Sequence, residues 1–245
     1  MAYDGTDYAG FQVQTNARTV QGEIERALAE ICAEPIRITG AGRTDAGVHA
    51  TGQVIDFRTA SALDGEAIER GVNALLPKDI AISDVEGASE DFHSRFSATG
   101  RTYEYRIRRS RTRDPREWRK EHWLPGMLDL AALKAASAML IGRHDFAAFA
   151  AGVSGERTVR RADWREEGEL LRFEIDADAF LRGMVRGIVG TLLWVGRGKI
   201  TAERFGEILA SRDRTQAGPS APAQGLTLVG VEYGERRRRA DEDDE

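Results

Sequence analysis

The chain is poor in residues that mark several protein classes. Its 245 residues include one cysteine, Cys32, and four histidines. A single cysteine excludes an intrachain disulfide framework and fits a reducing compartment, so we expect a cytoplasmic location. The histidines, at positions 49, 93, 122 and 144, lack the spacing of metal ligands, so we expect no metal site.

Long apolar runs are also lacking. No stretch approaches the roughly 20 apolar residues of a transmembrane helix, and no basic-then-apolar leader opens the sequence. The composition, 41% hydrophobic and 31% charged, is typical of a globular protein without a membrane partner. The length fits one large domain or two small ones.

An overall basic charge, the usual mark of a nucleic-acid-binding protein, is absent. The net charge is −5, and the five acidic residues at 241–245 account for all of it. Between Arg95 and Glu121, however, ten Lys or Arg residues stand against four Asp or Glu residues. This local excess of six positive charges can attract phosphate groups. A solvated charged face is the alternative.

Apolar periodicity predicts a mixture of helices and strands. Helices are predicted after Thr19, after Ser61–Asp64, over Leu130–Leu140, from about Phe180 to Val195, and around Phe205–Leu209. Strands are predicted at Ile36–Ile38, Val54–Phe57, Ile80–Val85, Tyr103–Ile107, Leu171–Asp176 and Thr227–Tyr233. In the predicted strand Tyr103–Ile107, the side chains of Tyr103, Tyr105 and Ile107 should share a buried face.

The segment Ala41–Gln53, AGRTDAGVHATGQ, has the most unusual composition. It lies between two predicted strands and places Arg43, Asp45 and His49 close together. Binding and catalytic groups concentrate on loops of this kind. The alternative is that Arg43 and Asp45 merely pair across a tight turn. A dinucleotide-binding loop is excluded, because the third glycine is missing and no helix follows.

Four stretches of the sequence resemble motifs of the tRNA pseudouridine synthase A family. GRTDAGVHATGQV, from Gly42, resembles the catalytic motif, and RTYEYRI, from Arg101, the second motif. FLRGMVRGIVGTLLWVG, from Phe180, resembles the third motif, and APAQGL, from Ala221, the closing one. They occur in the family's order, and the resemblance extends from Tyr3 to about Tyr233. Few residues precede Tyr3, which predicts either a shortened first strand or a start codon assigned too late.

The resemblance implies a role for each of five residues. Asp45 would be the essential catalytic carboxylate, and Arg43 would act on the target nucleotide. Tyr103 would pack against the target uracil, Arg186 would pair with Asp45, and Leu226 would pack near the uracil pocket.

Each of these assignments has a structural alternative. Tyr103 and Leu226 could be ordinary core residues. Arg186 could share an exposed helix face with Arg182, although an arginine in so apolar a helix would require a carboxylate partner. The same helix contains Gly183 and Gly187, which weaken a helix by roughly 1 kcal/mol each relative to alanine and which would permit close packing.

The family resemblance also implies a fold and a reaction. The fold is α+β, with two similar halves, 1–108 and 109–234, whose antiparallel sheets join across a central RNA-binding cleft. Residues 235–245 would form a charged, disordered tail. The reaction is the isomerisation of uridine to pseudouridine at positions 38–40 of the tRNA anticodon stem-loop, by a homodimer that needs no cofactor.

Three other functions stay open at this point. The chain could be an RNA-binding relative without activity, or a synthase with a different RNA target. It could also be a hydrolase with Asp45 as nucleophile, in which case His49 is the only water-activating histidine near it in sequence.

Overall fold

A computed structural model describes residues 1–234; the predicted charged tail, 235–245, lies outside the described residues. Within this range the strands are β1 (Ala2–Tyr3), β2 (Ile38–Gly40), β3 (His49–Ala50), β4 (Ile55–Phe57), β5 (Ile80–Ala81), β6 (Ala98–Arg108), β7 (His122–Trp123), β8 (Gly142–Asp145), β9 (Glu156–Glu167), β10 (Leu170–Ala177) and β11 (Leu226–Tyr233). The helices are α1 (Val20–Cys32), α2 (Gly65–Leu75), α3 (Leu130–Ala138), α4 (Met184–Gly196) and α5 (Ala202–Ser211).

One sheet contains nine of these strands, in the order β5-β1-β3-β11-β6-β10-β9-β8, with β7 paired to β6. Only β3–β11 and β6–β7 are parallel among its pairs. Strands β2 and β4 form a separate antiparallel pair. The mixed helices and largely antiparallel sheet agree with the α+β class. Strand β11, from the predicted second half, lies between β3 and β6, from the predicted first half, so one sheet contains strands of both halves. The division of the chain between residues 108 and 109 stays a prediction.

Strand β6 occupies the middle of the sheet, between β11 and β10. Tyr103, Tyr105 and Ile107 are buried on one face, which confirms the predicted alternation. Their partners on β10 include Phe173 and Ile175, which are also fully buried. The strand therefore anchors the core and fixes the position of Tyr103.

Two predicted helix starts are confirmed by their caps. The Thr19 side chain accepts a hydrogen bond from the Gly22 N–H at the start of α1. The Asp64 carboxylate does the same for the Ala67 N–H at the start of α2. A capping side chain satisfies an N–H group that the helix itself leaves unpaired.

The apolar helix α4 begins at Met184, so the prediction of a start near Phe180 was wrong. Gly183 precedes the helix with a φ of 70°, a left-handed conformation that interrupts it. Inside the helix, a Cβ atom on Gly187 would lie 2.2 Å from the Phe149 carbonyl oxygen. The expected close packing at Gly187 is confirmed.

Other element boundaries also differ from the predictions. Helix α3 ends at Ala138, before Met139 and Leu140. The segment 41–53 is not all loop, because β3 lies inside it and pairs with β1. Strand β1 has two residues. The predicted strand at Ile80–Val85 is reduced to β5, also two residues.

Candidate active site

Asp45 lies on the loop between β2 and β3, about one third exposed. The loop is fixed from both sides of Asp45. Thr44 is buried; its hydroxyl shares a 2.8 Å hydrogen bond with that of Tyr3, and its carbonyl accepts one from the Phe11 N–H. The Val48 N–H donates to the Asp45 carbonyl at 3.1 Å, which closes a turn. The carboxylate is thus exposed on a loop whose backbone is held.

The start of this loop is held by buried polar side chains. The Gln53 amide group pairs with the backbone of Gly42, accepting from its N–H at 3.2 Å and donating to its carbonyl at 2.6 Å. The Arg101 guanidinium, 8% exposed, donates to the Ala41 carbonyl at 3.0 and 3.3 Å. These contacts satisfy loop backbone groups that no strand pairs.

Arg186, in the first turn of α4, pairs with Asp45. The distance from Nη1 of Arg186 to Oδ2 of Asp45 is 3.7 Å. Its Nε donates to the Ala221 carbonyl at 2.7 Å, and the Ala221 N–H donates to the Arg186 carbonyl at 2.9 Å. Arg186 is only about one quarter exposed, and Arg182 lies before the helix begins, so the two do not share an exposed helix face. The pair joins the loop of Asp45 to α4, and Arg186 also joins α4 to the closing motif.

Arg43 does not pair with Asp45, so the alternative of a simple turn ion pair is wrong. Its side chain is exposed and makes no hydrogen bond or ion pair with any residue in the described range. An exposed cation two residues from the catalytic candidate is available for a phosphate or a displaced nucleotide.

Tyr103 is 8% exposed and packs edge-on against Phe180, with ring centroids 5.1 Å apart. Burial raises the pKa of its phenol, and the nearby Tyr3 and Asp45 raise that pKa further. The phenol therefore stays protonated at neutral pH. A Cβ atom on Gly42 would lie 3.7 Å from its hydroxyl oxygen, so the phenol lies beside the loop that carries Asp45.

Leu226 and Tyr105 show how the closing motif is held. Leu226 is buried and lies opposite Tyr105 in the β11–β6 pair. The Tyr105 hydroxyl donates to the Pro222 carbonyl at 2.8 Å, and its ring packs against Gly225. Tyr105 thus fixes the segment that binds Arg186 through Ala221. No residue type signals this role in the sequence, because the partners of Tyr105 are backbone atoms and a glycine.

Half of the ten cations between Arg95 and Glu121 are neutralised by ion pairs with carboxylates. Ion pairs join Arg106 to Glu104, Arg108 to Glu121, Arg109 to Glu166, Arg116 to Asp114 and Arg119 to Asp7. The cations of this stretch without an ion pair to another residue at 1–234 include Arg95, Arg111, Arg113 and Lys120, all exposed. The phosphate-attracting surface is therefore smaller than the count of ten implies.

His49 is buried and contacts Gly5 and Asp4, so it is not placed to activate a water molecule at Asp45. Its Nδ1 accepts a hydrogen bond from the Gly5 N–H at 3.0 Å and lies 3.2 Å from a carboxylate oxygen of Asp4. Burial lowers the pKa of its imidazole, although Asp4 acts in the opposite direction. This arrangement removes the group on which the hydrolase alternative depended.

Residues 1–234 contain neither a cluster of metal-ligating side chains nor a membrane-spanning helix. No three or more His, Cys, Asp or Glu side chains in that range are grouped to hold a metal ion. No helix there combines the length and the apolar character needed to cross a membrane.

Comparison with known proteins identifies relatives over nearly the whole chain. A family model described as tRNA pseudouridine synthase matches residues 1–97 and 136–234. A tRNA pseudouridine synthase A from Chloroflexus aurantiacus is 51% identical, over 95% of this chain and 87% of its own. The Geobacter sulfurreducens protein of the same name is 44% identical, over 95% and 97%. The Geobacillus kaustophilus one is 42% identical, over 95% and 92%.

The family model covers most of the chain, and the relatives exceed 40% identity over almost all of it. The stretches that resemble the family's motifs also meet in space. Arg186 pairs with Asp45, and the Tyr103 hydroxyl lies beside Gly42 on the same loop as Asp45. The chain therefore belongs to the tRNA pseudouridine synthase family of isomerases.

Proposed function

We propose that this protein isomerises uridine to pseudouridine at positions 38–40 of the tRNA anticodon stem-loop, with Asp45 as the essential carboxylate. The observation that carries the proposal is the 3.7 Å ion pair between Asp45 and Arg186. It joins an exposed carboxylate to an otherwise apolar helix, in a chain whose relatives are named tRNA pseudouridine synthase A. RNA binding without activity would not require this pair.

Isomerisation breaks the bond from C1′ to N1 of uridine and forms a bond from C1′ to C5. The hydrogen on C5 is lost, and N1 gains one. No redox change and no net hydrolysis occur, so the reaction itself requires no cofactor. It does require a nucleophile or a negative charge for the separated sugar and base, and a positioned carboxylate serves either purpose. Arg186 orients Asp45 for this task.

The target uridine in a stem must leave the base stack to reach Asp45. Unstacking costs a few kcal/mol, which new contacts offset. Arg43 extends from the loop that carries Asp45 and is free to occupy the vacated space or hold the displaced nucleotide. Tyr103 packs against the uracil at the accessible part of its ring, and Leu226 contributes an apolar wall to the pocket.

Binding of the whole tRNA requires a larger surface than this loop. Arg111, Arg113 and Lys120 are exposed and suit contacts to phosphates, which position RNA without reading its sequence. We place the RNA in a cleft between two similar halves, 1–108 and 109–234, with each tRNA held by a cytoplasmic homodimer. A sedimenting species of about twice the 27.0 kDa chain mass would support the dimer, and a 27.0 kDa species would contradict it.

The site of modification is tested by mapping pseudouridine in treated tRNA. Transcripts incubated with the protein are reacted with a carbodiimide that forms stable adducts with pseudouridine, and primer extension locates the stops. New stops at one or more of positions 38–40 are expected. Stops only elsewhere would favour the synthase with a different RNA target.

A further inference from the structure

The turn at 93–97, just before β6, presents an exposed aromatic ring next to an unpaired cation. Phe96 is 58% exposed, among the most exposed large apolar side chains at 1–234. The Arg95 guanidinium lies over its ring, 5.5 Å from the centroid, and the His93 ring packs 4.3 Å away. Arg95 makes no ion pair with another described residue. The ring and the charge are both available to a ligand.

Hydrogen bonds within the turn make its backbone rigid. Nδ1 of His93 accepts from the N–H groups of Arg95 and Phe96, at 3.2 and 3.3 Å. The Ser97 N–H donates to the His93 carbonyl at 2.8 Å, and the Ser97 hydroxyl accepts from the His93 N–H. The exposed ring therefore stands on an ordered support.

The turn is also fastened to three other parts of the fold through Ser94, which is fully buried. Its N–H donates to the Asp56 carboxylate at 2.7 Å, and its hydroxyl donates to the Thr39 carbonyl at 2.9 Å. The Tyr233 hydroxyl donates to the Ser94 carbonyl at 2.8 Å. A preorganised surface of this kind loses little conformational entropy on binding.

One side chain connects this turn to the catalytic loop. The Nη2 atom of Arg101 donates to the Arg95 carbonyl at 2.6 Å and to the Ala41 carbonyl at 3.0 Å. One nitrogen atom thus donates hydrogen bonds both to the backbone of the turn and to the backbone that leads into Arg43 and Asp45. The backbone from which Phe96 projects is therefore tied, through Arg101, to the backbone that leads into the loop of Asp45.

We propose that Phe96 and Arg95 form a second nucleotide subsite, which binds an unpaired nucleotide of the tRNA next to the target uridine. The base stacks on Phe96, and Arg95 pairs with the adjoining phosphate. Aromatic rings beside cations bind unpaired RNA bases in this manner. The subsite is separate from the Tyr103 pocket for the target uracil. This inference rests on the proposed function, because it requires a tRNA flipped at Asp45.

A protein partner fits this surface less well. Single exposed apolar side chains are common and do not form an interface by themselves. Here the ring is accompanied by an arginine without an ion pair in the described range, Arg95. Arg101 ties its turn to the loop that carries a second such arginine, Arg43. This combination of stacking surface and positive charge is complementary to a nucleotide.

The test compares three substitutions at Phe96, each made together with Asp45→Asn to prevent turnover. Affinity for a fluorescent tRNA is measured by anisotropy. Phe96→Ala should bind about 5- to 100-fold more weakly, the range for one stacked base. Phe96→Leu, which keeps apolar area but no aromatic face, should lose as much. Phe96→Trp should bind within about threefold of the parent, and all three should keep the parent melting temperature because the side chain is exposed.

Control and charge variants complete the comparison. Leu63→Ala removes another exposed apolar side chain, 44% exposed, and should bind tRNA like the parent. Arg95→Ala should weaken binding and reduce its dependence on salt concentration. Parent-like binding by Phe96→Leu would overturn the stacking proposal. So would unchanged tRNA affinity of Phe96→Ala with an altered sedimentation coefficient, which would assign Phe96 to a contact between copies of the chain.

The stacked base itself is located with tRNAs that carry one abasic nucleotide in the anticodon stem-loop. At one position next to the target, loss of the base and Phe96→Ala should be non-additive, because each removes the same contact. Additive losses at every position would contradict the proposal. The proposed function is tested separately, since unmodified tRNA after incubation with the intact protein would refute it whatever Phe96 does to binding.

Discussion

Arg186 is fixed more firmly by its neighbours than by its charge partner. The hydrogen bond from its Nε to the Ala221 carbonyl is 2.7 Å long, whereas its distance to Asp45 is 3.7 Å. Both side chains of the ion pair are partly exposed, and such pairs contribute only about 0–1 kcal/mol to stability. We therefore expect the ion pair to orient the Asp45 carboxylate and to place a positive charge beside it, and to contribute little to the free energy of folding.

Substitution of Arg186 tests this role. Arg186→Ala should lower kcat by about 100-fold, a typical loss for one preorganised electrostatic partner. Its melting temperature should fall by a few degrees, because the carbonyl of the buried Ala221 loses its hydrogen-bond donor. The matched control is Arg182→Ala, at an exposed arginine just before α4, which should keep kcat within about twofold. Undiminished turnover by Arg186→Ala would remove the ion pair from the mechanism.

Sequence motifs predicted some of the site at this scale and missed the rest. Asp45 and Arg186 were paired from motif resemblance, and the structure brings them together. Arg101 and Tyr105 were not identified, although they hold Ala41 and Pro222. Both act on backbone carbonyls, and the chemistry of a carbonyl is the same at every position, so no residue type signals the contact.

At the scale of elements, strand β9 shows where periodicity fails. Eight of its twelve residues, ERTVRRADWREE, are charged, so it resembles a solvated loop. In the structure, Arg160 pairs with Asp176 and Arg161 with Glu174, both on the neighbouring strand β10. Cross-strand pairs of this kind stabilise a sheet, but they depend on a register that local sequence does not reveal.

The packing of α4 gives a test at the same scale. In Gly187→Ala the new methyl group would meet the Phe149 carbonyl oxygen at 2.2 Å. We expect a loss of about 1–3 kcal/mol in the free energy of unfolding, despite the better helix propensity of alanine. Activity should fall as well, because the helix that carries Arg186 must shift.

Gly206→Ala is the matched control for this substitution, measured by urea unfolding under the same conditions. Gly206 is also helical, but the nearest obstacle is the flexible side chain of Met139. That variant should be within about 1 kcal/mol of the parent. Equal losses in the two variants would show that close packing at Gly187 is not limiting.

For the whole molecule, the sheet order could not be read from the sequence. Strands β3 and β11 are parallel neighbours, although they lie far apart in the chain. That contact places the loop of Asp45 next to the closing motif. Periodicity predicts which residues are buried in a strand, but strand partners that are distant in sequence are determined by packing of the complete core.

Stability of the whole molecule should depend on pH through His122, on β7. Burial and the positive charge of Arg197 lower the pKa of its imidazole to about 4. Its Nδ1 atom has no hydrogen-bond partner in the described range. An unfolded histidine has a pKa near 6.5, so the unfolded state binds more protons between these values. Stability is therefore lost as the pH falls below about 6.5.

Between pH 7 and pH 5 this effect should lower the free energy of unfolding by about 2 kcal/mol. His122→Gln should remove that part of the pH dependence, because glutamine does not titrate. Urea unfolding at several pH values provides the measurement. Parallel pH profiles for the parent and the variant would show that His122 is not the cause.

The most direct test of the central claim is tritium release from tRNA labelled at C5 of uridine, with the intact protein and with Asp45→Asn. C5 loses its hydrogen only when its bond to C1′ forms. Release by the intact protein, and none above background by a variant that still folds and binds tRNA, is the result that we predict. Equal release by both proteins would contradict the role of Asp45, and no release by either would contradict the isomerase activity.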